Sequence, residues 1–206
     1  MELRGIYGIT SRAFGQSHAE SAMIFLNGGV RIIQYREKEA TFRVREHEAN
    51  QIKELCRSYG ATFIINDSLD LALSVGADGL HVGRDDVRLD VVSRVFRGEI
   101  VGASASNQKE ALMADGDGAT YLGVGTIYPT STKTDGDIIG VEGLKEIRRS
   151  TGLPIFAIGG IKLENLKEVW EAGADGVALI SAILGADNPV ETARKFVKSW
   201  DDLSRN

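Results

Sequence analysis

The sequence predicts an α/β protein built as a single (β/α)8 barrel across residues 1–206, and three observations carry that expectation. The chain has 206 residues, enough for one domain with a substantial core and near the lower end for such a barrel. Short runs rich in Val and Ile alternate with amphipathic stretches at a mean period of roughly 26 residues, as repeated β/α units require. No Pro-rich linker, low-complexity segment or charge block marks an internal boundary. Apolar residues make up 43% and charged residues 26% of the chain, an ordinary globular composition, so the whole of it is expected to fold.

In chain order the strand candidates are Ile6 to Thr10, Arg31 to Arg36, Thr62 to Asn66, Gly79 to Val82, Ile100 to Ala103, Thr120 to Val124, Pro154 to Ile158 and Gly176 to Ile180. Two of the helices leading into them end alike. Val75-Gly76-Ala77-Asp78-Gly79 and Ala172-Gly173-Ala174-Asp175-Gly176 each read as a helix closed by a left-handed glycine and followed at once by a strand. Asn188-Pro189 is an N-cap and first-turn pair, and Val190, Ala193, Val197 and Trp200 mark the apolar stripe of a last helix. An open, doubly wound sheet is the alternative; even units without a strong dinucleotide signature favour closure.

A net charge of −5 argues against nucleic acid as the main partner, because phosphate-backbone binding leaves a basic footprint. Anionic ligands must be held by local positive groups. No apolar run approaches the ~20 residues that cross a bilayer, and Met1 to Thr10 lacks a signal-peptide layout, so a cytoplasmic protein without membrane partners is expected. Self-association into a homo-oligomer is left open. The single cysteine, Cys56, falls in a helical apolar pattern and reads as a core thiol. His18 and His47 read as surface residues of helices, and His81 as a strand-end residue with a structural hydrogen bond. No nucleophile stands beside a base, which disfavours covalent catalysis.

In a barrel of this kind the chemistry sits at the C-terminal ends of the strands, and polar groups collect there. Within Gln34-Tyr35-Arg36-Glu37-Lys38, strand alternation turns Gln34, Arg36 and Lys38 to one side; a solvated strand end with internal ion pairs is the plainer reading. Asn66-Asp67 ends the third strand and Gly83-Arg84-Asp85-Asp86 follows the fourth. Asp67 and Asp86 suit a magnesium ion shared with substrate phosphates, although Asp67 or Ser68 capping a helix and Asp86 on the surface would account for them equally. The stretch Gly125 to Gly136 is long for so economical a barrel, and its hydroxyls and Lys133 suit a phosphate-binding loop or lid; a solvated loop is the alternative. Gly159-Gly160-Ile161 and Ile180-Ser181-Ala182 follow the seventh and eighth strands, where many barrels bind phosphate, though tight turns alone would call for the glycines. One cluster suits a metal-bound diphosphate and the other a simple phosphate, which suggests two phosphorylated small-molecule substrates.

Taken in order, Gln34 to Lys38, Ile65-Asn66-Asp67, His81 to Asp86, Gly123 to Lys133 and Ala157-Ile158-Gly159-Gly160 resemble the motif series of the thiamine phosphate synthase family, and the resemblance covers nearly the whole chain. It implies a transferase that joins a hydroxymethylpyrimidine diphosphate to a hydroxyethylthiazole phosphate, releasing pyrophosphate with Mg2+ as cofactor. The described chemistry of that family is dissociative, a pyrimidinylmethyl cation being captured by the thiazole nitrogen. By the resemblance, Gln34, Tyr35, Arg36, Glu37, Lys38, Asn66, Ser104 and Lys133 bind the pyrimidine diphosphate, with Arg36, Lys38, Ser104 and Lys133 the catalytic set. Asp67 and Asp86 hold the metal. Thr130, Ser131, Thr132, Gly160, Ile180 and Ser181 receive the thiazole phosphate. The stretch Gly102 to Asn107 lacks a histidine often seen after the matching serine, a departure in the surroundings of Ser104. The rivals are a thiazole tautomerase-like isomerase and a non-catalytic module that binds a phosphate ligand.

Overall fold

The computed structural model describes residues 3–130 and 138–205. Eight parallel strands follow one another around a closed barrel: β1 (Gly5–Ile9), β2 (Ile32–Tyr35), β3 (Thr62–Asn66), β4 (Gly79–Val82), β5 (Ile100–Ala105), β6 (Tyr121–Val124), β7 (Ile155–Ile158) and β8 (Gly176–Leu179), with β8 pairing back onto β1. The predicted strands are all present, β3 and β4 with the expected bounds and the others with ends that differ by no more than two residues. The helices are α1 (His18–Asn27), α2 (Phe42–Ser58), α3 (Leu69–Val75), α4 (Leu89–Val95), α5 (Gln108–Gly116), α6 (Gly140–Ser150), α7 (Leu166–Glu171), α8 (Ser181–Leu184) and α9 (Pro189–Ser204), with a 3₁₀ turn at Leu163–Asn165. Among the described residues no helix is long and apolar enough to cross a membrane.

Local signals account for several of these boundaries. α1 opens with a capping box in which the Glu20 N–H donates to Ser17 Oγ at 3.2 Å and the Ser17 N–H donates to Glu20 Oε2 at 2.8 Å. α9 starts at Pro189, with Asn188 Oδ1 accepting from the Glu191 N–H at 3.3 Å, and buries Ala193, Phe196 and Trp200 against the barrel.

The repeated Gly-Ala-Asp-Gly corners have a common physical basis. Gly76 and Gly173 both take positive φ, 59° and 95°, and each turns the chain so that the following Asp reaches the start of the neighbouring strand. The N–H groups of Phe63 and Ile155 donate to Asp78 Oδ2 and Asp175 Oδ2, both at 2.8 Å. In return the N–H groups of Asp78 and Asp175 donate to the carbonyls of Phe63 and Ile155 at 3.1 and 2.9 Å. Each aspartate thus completes the backbone pairing at the N-terminal rim.

Strand alternation divides the core in two. Tyr7, Ile9, Ile32, Ile64, Ile100, Tyr121, Phe156 and Ala178 fill the barrel interior, while residues such as Ile33, Phe63, Leu80, Leu122 and Val177 face the helices. Gly176 is needed where the barrel closes: a Cβ there would lie 2.3 Å from the Gly5 carbonyl oxygen and 2.4 Å from the Phe156 ring. Gly176→Ala is therefore expected to destabilise the fold by about 1–3 kcal/mol, measured as a lower urea midpoint with an unchanged m-value; a wild-type midpoint would show that the closure tolerates a side chain.

Candidate active site

Two residues above the last full interior layer, the inward-pointing side chains become polar. They line a pocket of about 480 Å³ at the C-terminal ends of the strands. Its floor is aromatic: the Phe156 ring stands edge-on to Tyr7 and Tyr121, with centroids 5.2 and 5.6 Å apart. Two glycines make room for this arrangement. A Cβ on Gly102 would lie 2.2 Å from Tyr121 Cζ, and one on Gly123 would lie 2.9 Å from His81 Cε1.

A chain of hydrogen bonds crosses the floor. The Gln34 side-chain amide donates to Tyr7 Oη at 2.9 Å, Tyr7 and Tyr121 hydroxyls meet at 2.9 Å, Tyr121 meets His81 Nδ1 at 3.0 Å, and His81 Nε2 meets Ser104 Oγ at 3.1 Å. Each hydroxyl has one proton. The Tyr7 hydroxyl accepts from Gln34, and the row runs from there through Tyr121 and His81 to Ser104, whose side chain borders the pocket. Burial pushes the Tyr7 and Tyr121 hydroxyls well above their ordinary range, so both stay protonated as this chain requires.

One side of the rim carries charge. Gln34, Arg36, Lys38, Asn66 and Asp67 line the pocket, and Lys38 Nζ lies 2.8 Å from Asp67 Oδ2. The Arg36 side chain makes no ion pair or hydrogen bond among the described residues. Asp67 has a left-handed backbone, φ 62°, a rare conformation that Asp tolerates better than most side chains. It is held there by its N–H donating to the His81 carbonyl at 2.7 Å. Asp86 accepts from the Gly83 N–H at 2.7 Å and lies near enough to Asp67 for each to alter the other's ionisation. Burial opposes ionisation of Asp67, but the contacts from Asp86 and Lys38 outweigh it and lower its pKa; burial and the Asp67 carboxylate raise that of Asp86.

The opposite side is built from the β6–α6 connection and the turns after β7 and β8. Thr126, Pro129, Thr130, Gly159, Gly160, Lys162, Ile180 and Ser181 all line the pocket here. N–H groups of Ile127 and Tyr128 donate to the carbonyls of Ile158 and Gly159, both at 3.0 Å, which presses the connection onto the turn. Gly160 has φ 63°, and a Cβ on it would lie 2.6 Å from the Pro129 carbonyl oxygen.

Of the residues singled out from sequence, Gln34, Arg36, Lys38, Asn66, Asp67, Ser104, Thr130, Gly160, Ile180 and Ser181 border one pocket, and Asp86 joins it through Asp67. Ser131, Thr132 and Lys133 lie outside the described residues. Tyr35 and Glu37 do not line the pocket; their side chains turn to other partners. The Tyr35 hydroxyl donates to Glu48 Oε2 at 2.7 Å, and Glu37 Oε1 accepts from the Glu39 N–H at 2.8 Å. The expectation for His18 also fails: it is only 2% exposed, drawn inward by polar partners at both ring nitrogens. Cys56 is a buried thiol whose pKa is pushed up to about 12 by burial and by Asp78, as a core residue should be. Tyr7, Tyr121, Phe156 and Lys162 are pocket residues that the motifs did not mark, and Arg84, within a quoted motif, lines the pocket without having been given a role. The two tyrosines and Phe156 were hidden within strand runs as ordinary core, and Lys162 lay one residue beyond the glycine turn.

The thiamine monophosphate synthase family model matches residues 6–183. Over 200 residues the chain is 48% identical to thiamine-phosphate synthase of Caldivirga maquilingensis, covering 97% of this chain and 98% of that one. It is 44% identical over 194 residues to the corresponding protein of Archaeoglobus fulgidus, covering 94% and 91%. The solved structure of thiamine phosphate pyrophosphorylase from Pyrococcus furiosus superposes with a TM-score of 0.91 at 37% identity, covering 97% of this chain and 96% of that one.

Proposed function

This chain belongs to the thiamine monophosphate synthase family and is a transferase; from that premise we propose that its pocket couples a pyrimidinylmethyl diphosphate to a thiazole phosphate, giving thiamine phosphate and pyrophosphate. The observation that carries this reading is the polarity of the pocket: Arg36 and Lys38 beside the Asp67–Asp86 pair on one side, and the Gly159–Gly160 and Ile180–Ser181 turns on the other. A diphosphate fits the first and a monophosphate the second. An isomerase with no diphosphate to release would have no use for the first set.

The residues present fit magnesium. Two neighbouring carboxylates each disfavour the other's charge unless a cation lies beside them, and hard oxygen donors completed by phosphate oxygens are the ligands magnesium prefers. Asp67 and Asp86 would hold it, and when bound it supplies charge neutralisation for a diphosphate. The rest of the chemistry belongs to side chains. As the methylene C–O bond breaks, its electron pair leaves with the diphosphate, and Arg36 and Lys38 stabilise the growing charge, with Lys133 joining them by the family resemblance. The carbon left electron-poor lies over the aromatic floor of Tyr7, Tyr121 and Phe156, whose faces favour positive charge. The thiazole nitrogen then donates its lone pair to form the new C–N bond. No enzyme nucleophile is needed; orientation of the two substrates supplies the remainder.

Pyrophosphate release by the purified chain is expected only when both substrates and magnesium are present. Release with either substrate omitted would rule out the coupling reaction, as would rearrangement of a thiazole carboxylate phosphate without pyrophosphate formation.

A further inference from the structure

His18, the first residue of α1, lies outside the pocket yet is one of the most buried polar side chains in the protein. Its ring stands edge-on to Tyr35 with centroids 4.9 Å apart, and both of its nitrogens are engaged. His18 Nε2 lies 3.1 Å from Glu37 Oε2, and a carboxylate only accepts, so that nitrogen carries a proton. His18 Nδ1 lies 2.8 Å from Thr10 Oγ1, and Thr10 Oγ1 in turn accepts from the Arg36 N–H at 3.4 Å. The Thr10 hydroxyl thus bridges the imidazole and the Arg36 N–H.

The far end of the same chain closes on the same loop. Glu37 Oε1 accepts from the N–H groups of Glu39 and Ala40 at 2.8 and 3.4 Å. Burial opposes ionisation of Glu37, but these two N–H groups and His18 hold it charged, with a pKa of about 2. Arg12 adds a cation, its Nε 3.5 Å from Glu37 Oε2, and also pairs with Glu48, the acceptor of the Tyr35 hydroxyl. Residues 36 to 40 are thus tied at both ends to one imidazole, through Thr10 at the Arg36 end and through Glu37 at the Ala40 end. Arg36 begins the clasped segment and Lys38 stands at its middle, and both side chains point the other way, into the pocket.

We propose that His18 is a positioning residue for the leaving-group site: the clasp it forms with Thr10 and Glu37 sets the backbone from which Arg36 and Lys38 reach the diphosphate. This rests on the reading above that Arg36 and Lys38 receive that group. Long cationic side chains on an untied loop would spend binding energy on being ordered; here the ordering is done before the substrate arrives.

The experiment compares His18→Ala, His18→Gln and Arg36→Ala in the full chain, with inhibition by inorganic pyrophosphate and the KM of each substrate as readouts. For His18→Ala, pyrophosphate inhibition weakens about tenfold, the scale of a lost hydrogen bond to a charged group. The KM of the diphosphate substrate rises by a similar factor, while that of the thiazole phosphate stays within about twofold. His18→Gln keeps an N–H for Glu37 and recovers most of the loss. Both KM values moving together in His18→Ala, or neither moving, overturns the clasp. Should Arg36→Ala bind pyrophosphate as the wild type does, the leaving-group reading itself falls; should Arg36→Ala bind weakly and His18→Ala normally, only the clasp falls. If His18→Ala does not fold, Thr10→Val carries the test, since it cuts the link to the Arg36 N–H at nearly constant volume. A several-fold weaker pyrophosphate inhibition supports the proposal, and an unchanged one overturns it.

Discussion

Asp67→Ala is expected to lower kcat by about 10³-fold at saturating magnesium, the upper end of what removing one preorganised electrostatic group costs, while the barrel remains folded. Asp67 is the member of the carboxylate pair whose pKa is lowered, and it is the partner of Lys38 at 2.8 Å. Losing it leaves Asp86 alone and releases Lys38 from its position. The left-handed backbone at this residue, φ 62°, complicates alanine, which adopts that conformation less readily than aspartate. Asp67→Asn separates the two effects, because asparagine tolerates the same backbone and lacks only the charge. Both variants should lose turnover, while only the alanine variant should also lose stability, by about 1 kcal/mol. Magnesium titrations of pyrophosphate release, with urea unfolding of each variant, decide the matter. Wild-type turnover by Asp67→Asn at limiting magnesium would remove Asp67 from any metal role.

The barrel was legible because its two periods are simple. Apolar runs mark strands, and the glycine-closed corners before β4 and β8 mark the returns, where Asp78 and Asp175 each pair with the neighbouring strand. The rim residues were partly legible for the same reason: alternation along β2 puts Gln34 on the face shared with Ile32, which is the barrel interior, and Arg36 and Lys38, just past the strand end, line the same pocket. The alternation that places Gln34 also excludes Tyr35, and the motif resemblance, which takes consecutive residues together, passed over it. His18 was misjudged because a histidine at a helix start has no periodic signature. Its burial depends on Thr10, Glu37 and Tyr35, which come from other elements. The aromatic floor was missed in the same way, since a tyrosine in a strand looks like core until its hydroxyl is seen to join a chain.

That chain leads to a second large effect, at Ser104. The row of hydrogen bonds from Gln34 through Tyr7, Tyr121 and His81 ends at the Ser104 hydroxyl, which borders the pocket and can be aimed at a bound ligand. Ser104→Ala should therefore cost about 10²-fold in kcat, as loss of one aimed donor does, with little change in the KM of the thiazole phosphate. If His81 acts by orienting that hydroxyl, His81→Leu keeps the donor but lets it rotate, and a loss of about tenfold is expected. The two losses should not add: with Ser104 already gone there is nothing left for His81 to orient, so the double variant should resemble Ser104→Ala alone. Steady-state kcat values for the wild type, both single variants and the double variant complete the cycle. Additive losses would mean that His81 serves the reaction independently of Ser104, and the orienting role of the chain would have to be given up.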